Sequence, residues 1–141
     1  MANSSTTKNE AVAKPADPPM TTMAYLAPVV GWLVPGAGHF IQKRWIRGLL
    51  LMASIITMFA MGLALQGHVY QPNGGDILDM LGFVGDVGSG SLYILAQIMN
   101  WGQSAIQHAT ADYGTKYLIV AGLLNFISAA DAHHIAIGKK P

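Results

Sequence analysis

The amino-acid sequence predicts an all-α fold: a small polytopic helical membrane protein with three transmembrane helices, or four if one ambiguous stretch also crosses. Three observations predict it. Of 141 residues, 52% are hydrophobic and only 11% are charged, whereas an average soluble domain carries roughly 25% charged residues. Mean hydropathy is +0.37. Two uncharged apolar runs also approach the roughly 20 residues that a helix needs to cross the hydrocarbon core.

The composition excludes several classes of protein. The formal net charge of +1 is too small for a nucleic-acid binder that neutralises phosphates. Because the chain has no cysteine, disulfide scaffolds, thiolate metal sites and cysteine nucleophiles are excluded. Gly36-x-Gly38 lacks the third glycine of a dinucleotide fingerprint, and no P-loop or serine nucleophile motif is present. We therefore expect neither enzymatic activity nor a bound cofactor.

The chain divides into a polar tail, residues 1–22, and a helical membrane domain, residues 23–141. The tail contains three prolines and charges that cancel. Such a segment buries too little apolar surface to offset its conformational entropy, so we expect it to be disordered. It is not a secretory signal peptide, because no apolar region follows a short basic start.

The first apolar stretch, residues 24–42, contains no charged side chain but is interrupted by proline and glycine. Pro28 lies within it, and Pro35-Gly36-Ala37-Gly38 breaks the helical pattern, since proline removes a backbone donor and clashes with the preceding turn. Three arrangements fit: a kinked span, a helix to about Val34 followed by a bend, or a re-entrant hairpin. Non-helical backbone at that depth must be covered by protein.

Two further stretches are predicted to cross. Residues 48–65 contain neither a charge nor a proline and form the clearest span. Residues 117–137 are interrupted by Asn125, Ser128 and Asp131. These three polar residues recur at steps of three, so they lie near one helical face, which must point toward protein rather than lipid.

The stretch 77–100 decides the topology. It contains two aspartates and several glycines, which disfavour insertion and weaken a helix. Both basic clusters lie on the cytoplasmic side only if this stretch does not cross, as the positive-inside rule requires. We therefore favour three crossings with 77–100 interfacial or re-entrant, and keep a fourth span as the alternative. The topology-determining cations are Lys43, Arg44, Arg47, Lys139 and Lys140.

Other residues are assigned to helix packing or to bends, because small residues let helix backbones approach closely in lipid and amide side chains bond across helices. These residues are Pro35, Gly36, Gly38, Gly82, Gly85 and Asn125.

One metal or proton-relay cluster is conceivable, formed by His39, Asp131, His133 and His134 near the cytoplasmic boundary. Imidazole and carboxylate groups are suitable ligands for zinc. We favour structural roles instead: His39 as a bend residue that caps carbonyls freed by Pro35 or meets lipid headgroups, and Asp131 in a position where it can pair with His134 three residues later. No metal is therefore expected.

Two blocks carry a resemblance to a known family. The first runs from Gly31 to Phe40 (GWLVPGAGHF) and continues to the basic Lys43-Arg44-x-x-Arg47-Gly48; the second runs from Asp112 to Lys139. In these blocks the chain resembles a family of small membrane proteins of unknown function typical of acidobacteria, loosely similar to the two-transmembrane-helix domain proteins. The resemblance implies a helical, non-secreted inner-membrane protein and no established activity. His133-His134 departs from the family pattern.

We expect a non-enzymatic, multi-pass protein of the bacterial cytoplasmic (inner) membrane that acts through helix–helix contacts. Its partners would be the lipid bilayer and either a second copy or another membrane protein; no nucleic acid is expected. The alternative is a small transporter, channel or ion-binding protein that uses Asp86, Asn125 and Asp131. That function needs those residues to converge on a wet cavity. A membrane enzyme ranks last, because no nucleophile–base pair is apparent.

Overall fold

The computed structural model describes residues 22–72, 76–103 and 109–140, and all regular structure in these ranges is helical. The predicted tail therefore lies outside the described residues except for Thr22. The all-α fold class is confirmed. The six helices are α1 (Thr22–Leu33), α2 (Ala37–Ile41), α3 (Trp45–Ala64), α4 (Ile77–Val87), α5 (Ser91–Ile98) and α6 (Ala111–Ala136).

The helices α3 and α6 form the frame of the molecule. They contain 20 and 26 residues, which corresponds to about 30 and 39 Å at 1.5 Å per residue. Each is long and apolar enough to cross a membrane. They run antiparallel, because Gly62 near the end of α3 packs on Leu118 near the start of α6, while Arg47 lies beside Asp131. Ile55 and Phe59 contribute to the apolar core between them.

The two ends of this frame differ in charge. One end, which we call the basic end, carries the five predicted topology-determining cations. The other, which we call the opposite end, carries the C-terminus of α3 and the N-terminus of α6, with Asp112 in the first turn of α6.

The first apolar stretch forms a helical hairpin that starts and returns at the basic end. Near the start of α1, the carbonyl of Ala24 bonds to His133, and near its end the carbonyl of Trp32 bonds to Asn125. Since these partners are eight residues apart on α6, α1 advances about 12 Å along that helix. α2 then returns, and its Gly38 contacts Ala132.

Residues 24–42 do not cross as one helix, because the chain reverses its direction between α1 and α2. α1 has 12 residues, about 18 Å, and it ends before Pro35 and Gly36. Gly36 has φ 77°, a left-handed conformation that glycine adopts without a Cβ penalty. Within the described residues, two helices are long and apolar enough to be membrane spans, and α4 with α5 make a third candidate if they count as one broken span. The span predicted at 24–42 is not among them.

The stretch 77–100 forms a second hairpin, which starts and returns at the opposite end. α4 and α5 are bent by 110° across the break at residues 88–90. Gly82 on α4 lies against Tyr70, and beyond α5 the carbonyl of Gly102 accepts from the Val69 backbone N–H at 3.0 Å. The segment that follows α3 therefore lies beside both the middle of α4 and the residues that follow α5.

Each half of the chain follows the same plan in opposite orientation. A helix of 12 or 11 residues is followed by a glycine-containing break, a helix of 5 or 8 residues and then a long spanning helix. Because the two long helices are antiparallel, the two hairpins enter from opposite ends and their tips meet beside the middle of α6.

Candidate functional site

The central polar contact of the molecule is made by Asn125, which is fully buried. Its Nδ2 donates to the carbonyl of Trp32 at 2.8 Å and to the carbonyl of Gly88 at 2.9 Å. These carbonyls belong to the tips of the first and second hairpins. Helix breaks leave carbonyls without intrahelical partners, and a buried carbonyl without a hydrogen bond is costly. One amide group therefore satisfies both breaks.

The two tips also contact each other directly. The Trp32 indole Nε1 donates to the carbonyl of Val87 at 3.2 Å. Gly90, with φ 62°, lies so close to the Trp32 carbonyl that a Cβ there would overlap it. A Cβ on Gly122 of α6 would likewise overlap the carbonyl of Gly85 on α4. The tips are thus packed backbone against backbone.

A second polar cluster, the basic-end cluster, consists of His39, Arg47, Asp131 and Lys140. His39 is fully buried, and its Nε2 lies 3.1 Å from Asp131 Oδ2. Lys140 Nζ donates to Asp131 Oδ1 at 2.8 Å, and Arg47 lies 3.6 Å from Oδ2. One largely buried carboxylate is therefore shared by a histidine from α2, an arginine from α3 and a lysine beyond α6.

Neighbouring side chains hold the first hairpin against α6. Gln42 Nε2 donates to the carbonyls of Gly38 at 3.0 Å and Ala132 at 2.8 Å. His133 Nδ1 donates to the carbonyl of Ala24 at 2.7 Å. Each bond joins the hairpin or its following turn to a backbone acceptor, so these side chains act in packing.

The structure brings together only part of the metal cluster considered from the sequence. His39 meets Asp131, but His133 is bonded to a backbone carbonyl and His134 is exposed. Within residues 22–72, 76–103 and 109–140, no group of three or more His, Asp or Glu residues is arranged to hold a metal ion. Asp131 pairs with His39 and Lys140 rather than with His134.

Asp86 lies near the end of α4, close to the tip of the second hairpin, and contacts the segment that follows α3. Its side chain is buried, and Oδ2 accepts from the Tyr70 backbone N–H at 2.7 Å. The Tyr93 hydroxyl donates to the Tyr70 carbonyl at 3.2 Å. Burial, followed by the charge of Asp79, raises the pKa of the Tyr70 phenol above its ordinary value, so this side chain is neutral at physiological pH.

The three polar residues of the transport hypothesis have different partners. Asp86 bonds to the segment after α3, Asn125 to both hairpin tips, and Asp131 to the basic-end cluster. Two large concavities lie elsewhere. One, of about 530 Å³ near the opposite end, includes Gln66 and Trp101 in its wall, and the other lies at the turn before α3.

The predicted packing and bend residues lie at close contacts between elements. Gly38 faces the Ala27 carbonyl, Gly82 faces the Tyr70 ring, and Gly85 faces Ile119. Pro35 and Gly36 lie in the break between α1 and α2, and Asn125 joins the tips.

Sequence reasoning missed the roles of Trp32, Gln42 and Tyr70. In the sequence, Trp32 and Tyr70 look like ordinary apolar or interfacial aromatic residues. Gln42 looks like a polar residue at the end of a helix. The unpaired carbonyls expected beside the Pro35 break were the one available signal that a buried donor was needed there.

Comparison with known proteins gives a family. A search of curated proteins and a search of solved structures each found no match. Residues 26–141 match a family described as "Family of unknown function (DUF6677)". This range contains nearly all of the two hairpins, both spanning helices and both polar clusters. The chain therefore belongs to the DUF6677 family.

Proposed function

We propose that this protein is a non-enzymatic integral membrane protein that acts through helix–helix contacts, as a homo-oligomer or as an accessory subunit of another membrane protein. We also propose that it lies in the bacterial cytoplasmic membrane and belongs to an acidobacterial-type group of small membrane proteins. The positive-inside rule assigns the basic end to the cytoplasm.

The outward face of α3 carries the proposal. In the apolar 18-residue window of α3 only 22% of residues are buried, against 39% in that of α6. The exposed residues of α3 include Ala53, Thr57, Ala60 and Ala64, which recur at helical spacing on one face. Small residues in such a row let a second helix approach closely in lipid, where packing replaces the hydrophobic drive.

The interior polar groups support a structural function. Asn125, His39 and Asp86 each bond to the chain itself. Among the described residues, the Ser89 and Thr115 hydroxyls bond to backbone groups and not to a histidine or carboxylate that could activate them. These three side chains thus help to hold the two hairpins in place, which supports a structural function.

The test is the mass of the protein after mild extraction. We expect native mass spectrometry in nanodiscs to give a multiple of 15.0 kDa or a stoichiometric complex with another membrane protein. Ala53→Leu and Thr57→Leu together fill the outward face of α3 and should release the monomer. Ala130→Leu, on the exposed face of α6, is the matched control. A monomer without partners before any substitution contradicts the proposal.

The second candidate is ion binding or transport. It draws support from the row of buried polar groups on α6, in which Asn125 and Ser128 precede Asp131 at steps of three. Intramembrane carboxylates commonly mark ion pathways. Liposomes that show a cation or proton flux abolished by Asp86→Asn or Asp131→Asn would favour this function over the first.

A further inference from the structure

A groove of about 700 Å³ lies at the basic end where α2 turns into α3. Its walls combine cationic and apolar side chains, namely Lys43, Arg44, Trp45, Ile46, Arg47 and Leu50. None of these residues is acidic. The groove therefore presents positive charge and hydrocarbon together, on the end of a helix that is long and apolar enough to cross a membrane.

The positive charge in the groove is largely uncompensated. Arg47 shares Asp131 with His39 and Lys140. In the described part of the chain, neither Lys43 nor Arg44 forms an ion pair with an acidic side chain. The first turn of α3 contains no acidic residue, and its N-cap residue makes no side-chain capping bond. An anionic occupant would supply the missing counter-charge.

The groove is held in shape by the turn beneath it. The Lys43 backbone N–H donates to the Phe40 carbonyl at 3.0 Å, and that of Arg44 to the His39 carbonyl at 2.9 Å. Lys43 has φ 59°, and Gln42 bonds to the Ala132 carbonyl on α6. The cations therefore project from a fixed turn, which lowers the entropy that binding must overcome.

The apolar part of the groove continues along α3. Trp45 is 67% exposed, Ile46 79% and Leu50 63%. A free inorganic anion would leave these side chains uncovered. A phospholipid would place its phosphate among the cations and its acyl chains beside Ile46 and Leu50, so both kinds of surface would be matched.

We propose that this groove is a discrete binding site for one anionic phospholipid headgroup, recognised through Lys43, Arg44 and Trp45 at the start of α3. The cationic part of the site lies at the end of α3, before the small-residue row that begins at Ala53, so this proposal does not rest on the proposed helix–helix function. Its occupancy would favour the orientation in which the basic end faces the leaflet richer in anionic lipid.

The test is lipid counting by native mass spectrometry on the full chain. The probes are phosphatidylglycerol and phosphatidylcholine with identical acyl chains. We expect one phosphatidylglycerol molecule to remain bound under conditions that remove phosphatidylcholine. Lys43→Asn with Arg44→Gln should weaken this binding by roughly 30-fold, since each cation near an anionic lipid surface contributes about a factor of five. Asparagine is chosen because it tolerates positive φ.

The matched control removes two charges elsewhere. Lys116→Gln with Lys139→Gln takes one cation from each end and none from the groove, and should retain the bound lipid. Trp45→Ala, at an exposed position, is the second variant should the double substitution fail to fold. Equal lipid loss in the groove and control doubles overturns the proposal, as does equal retention of the two lipids. Displacement by millimolar inorganic phosphate also overturns it, because the site would then be one for a free anion.

Discussion

The two hairpins reach the same residue from opposite ends, but different interactions attach each hairpin to the rest of the chain. The first, α1 with α2, is held by a shared carboxylate, in which Asp131 meets His39 and Lys140. The second, α4 with α5, is held by backbone groups of the segment that follows α3: the Val69 N–H donates to the Gly102 carbonyl at the base, and the Tyr70 N–H donates to Asp86 close to the tip.

This difference shows which part of the plan is essential to the fold. Either ionic or backbone bonds can hold the base of such a hairpin, because water or headgroups lie nearby and unpaired groups cost less there. At the tips, neither water nor headgroups can bond to the unpaired groups. Their freed carbonyls lie in the middle of the molecule, where only another protein group can satisfy them. Asn125 serves both tips and therefore couples the two halves.

The largest expected effect is an all-or-none labelling pattern. It tests whether the first hairpin starts at the basic end and the second at the opposite end. The chain has no cysteine, so single cysteines at Lys43, Gln71, Gln103 and Lys139 give a clean background. A membrane-impermeant maleimide should label positions 43 and 139 from one side, and positions 71 and 103 from the other. If positions 71 and 103 are labelled from different sides, α4 and α5 cross and the comparison fails.

A bulky residue at Gly122 should detach the second hairpin. Gly122→Leu forces its side chain into the Gly85 carbonyl, so α4 must move away from α6. We expect a loss of about 3 kcal/mol of stability, seen as a large fall in the unfolding temperature in detergent. Ala130→Leu, the same increase in size on the exposed face of α6, should change little. Equal effects would contradict the close contact.

Loss of the Asn125 amide should weaken both hairpins together. Asn125→Ala leaves the Trp32 and Gly88 carbonyls without their donor, at a cost of about 2 kcal/mol. The measurement is hydrogen exchange of α1 and α4, and protection should fall in both. Ser128→Ala, one turn along α6, is the control, because its buried hydroxyl has no partner in the described residues. Loss of protection in one hairpin alone would show that the halves are not coupled.

The smallest expected effect is a difference in stability between loss of the ionic contacts at Asp131 and loss of the charge at Asp86. Asp131→Asn removes the charge that Lys140, Arg47 and His39 share, and should cost about 1.5 kcal/mol. Asp86→Asn keeps an oxygen that accepts from Tyr70, and should cost less than about 0.5 kcal/mol. Thermal unfolding of the two variants in one detergent compares them. A larger loss of stability for Asp86→Asn than for Asp131→Asn would show that the second hairpin, and not the first, depends on a charged carboxylate.

Part of this architecture could be predicted from local sequence. The long apolar run at 48–65 predicted the span of α3, because helix formation and lipid insertion both depend on residues within one segment. The spacing of Asn125, Ser128 and Asp131 predicted one inward face, and all three lie on the protein side of α6. Pro35 and Gly36 marked the first break for the same local reason.

The amino-acid sequence by itself therefore determined the all-α class, the long helices and the position of the first break, because these follow from composition and from short-range steric rules. Only the tertiary structure decided where the chain goes after each break. Asn125 and Trp32 are 93 residues apart in sequence, and no hydropathy or spacing pattern encodes that bond. The hairpins turn back because two sets of freed carbonyls share one buried amide, a condition that exists only once α1, α4 and α6 are packed together.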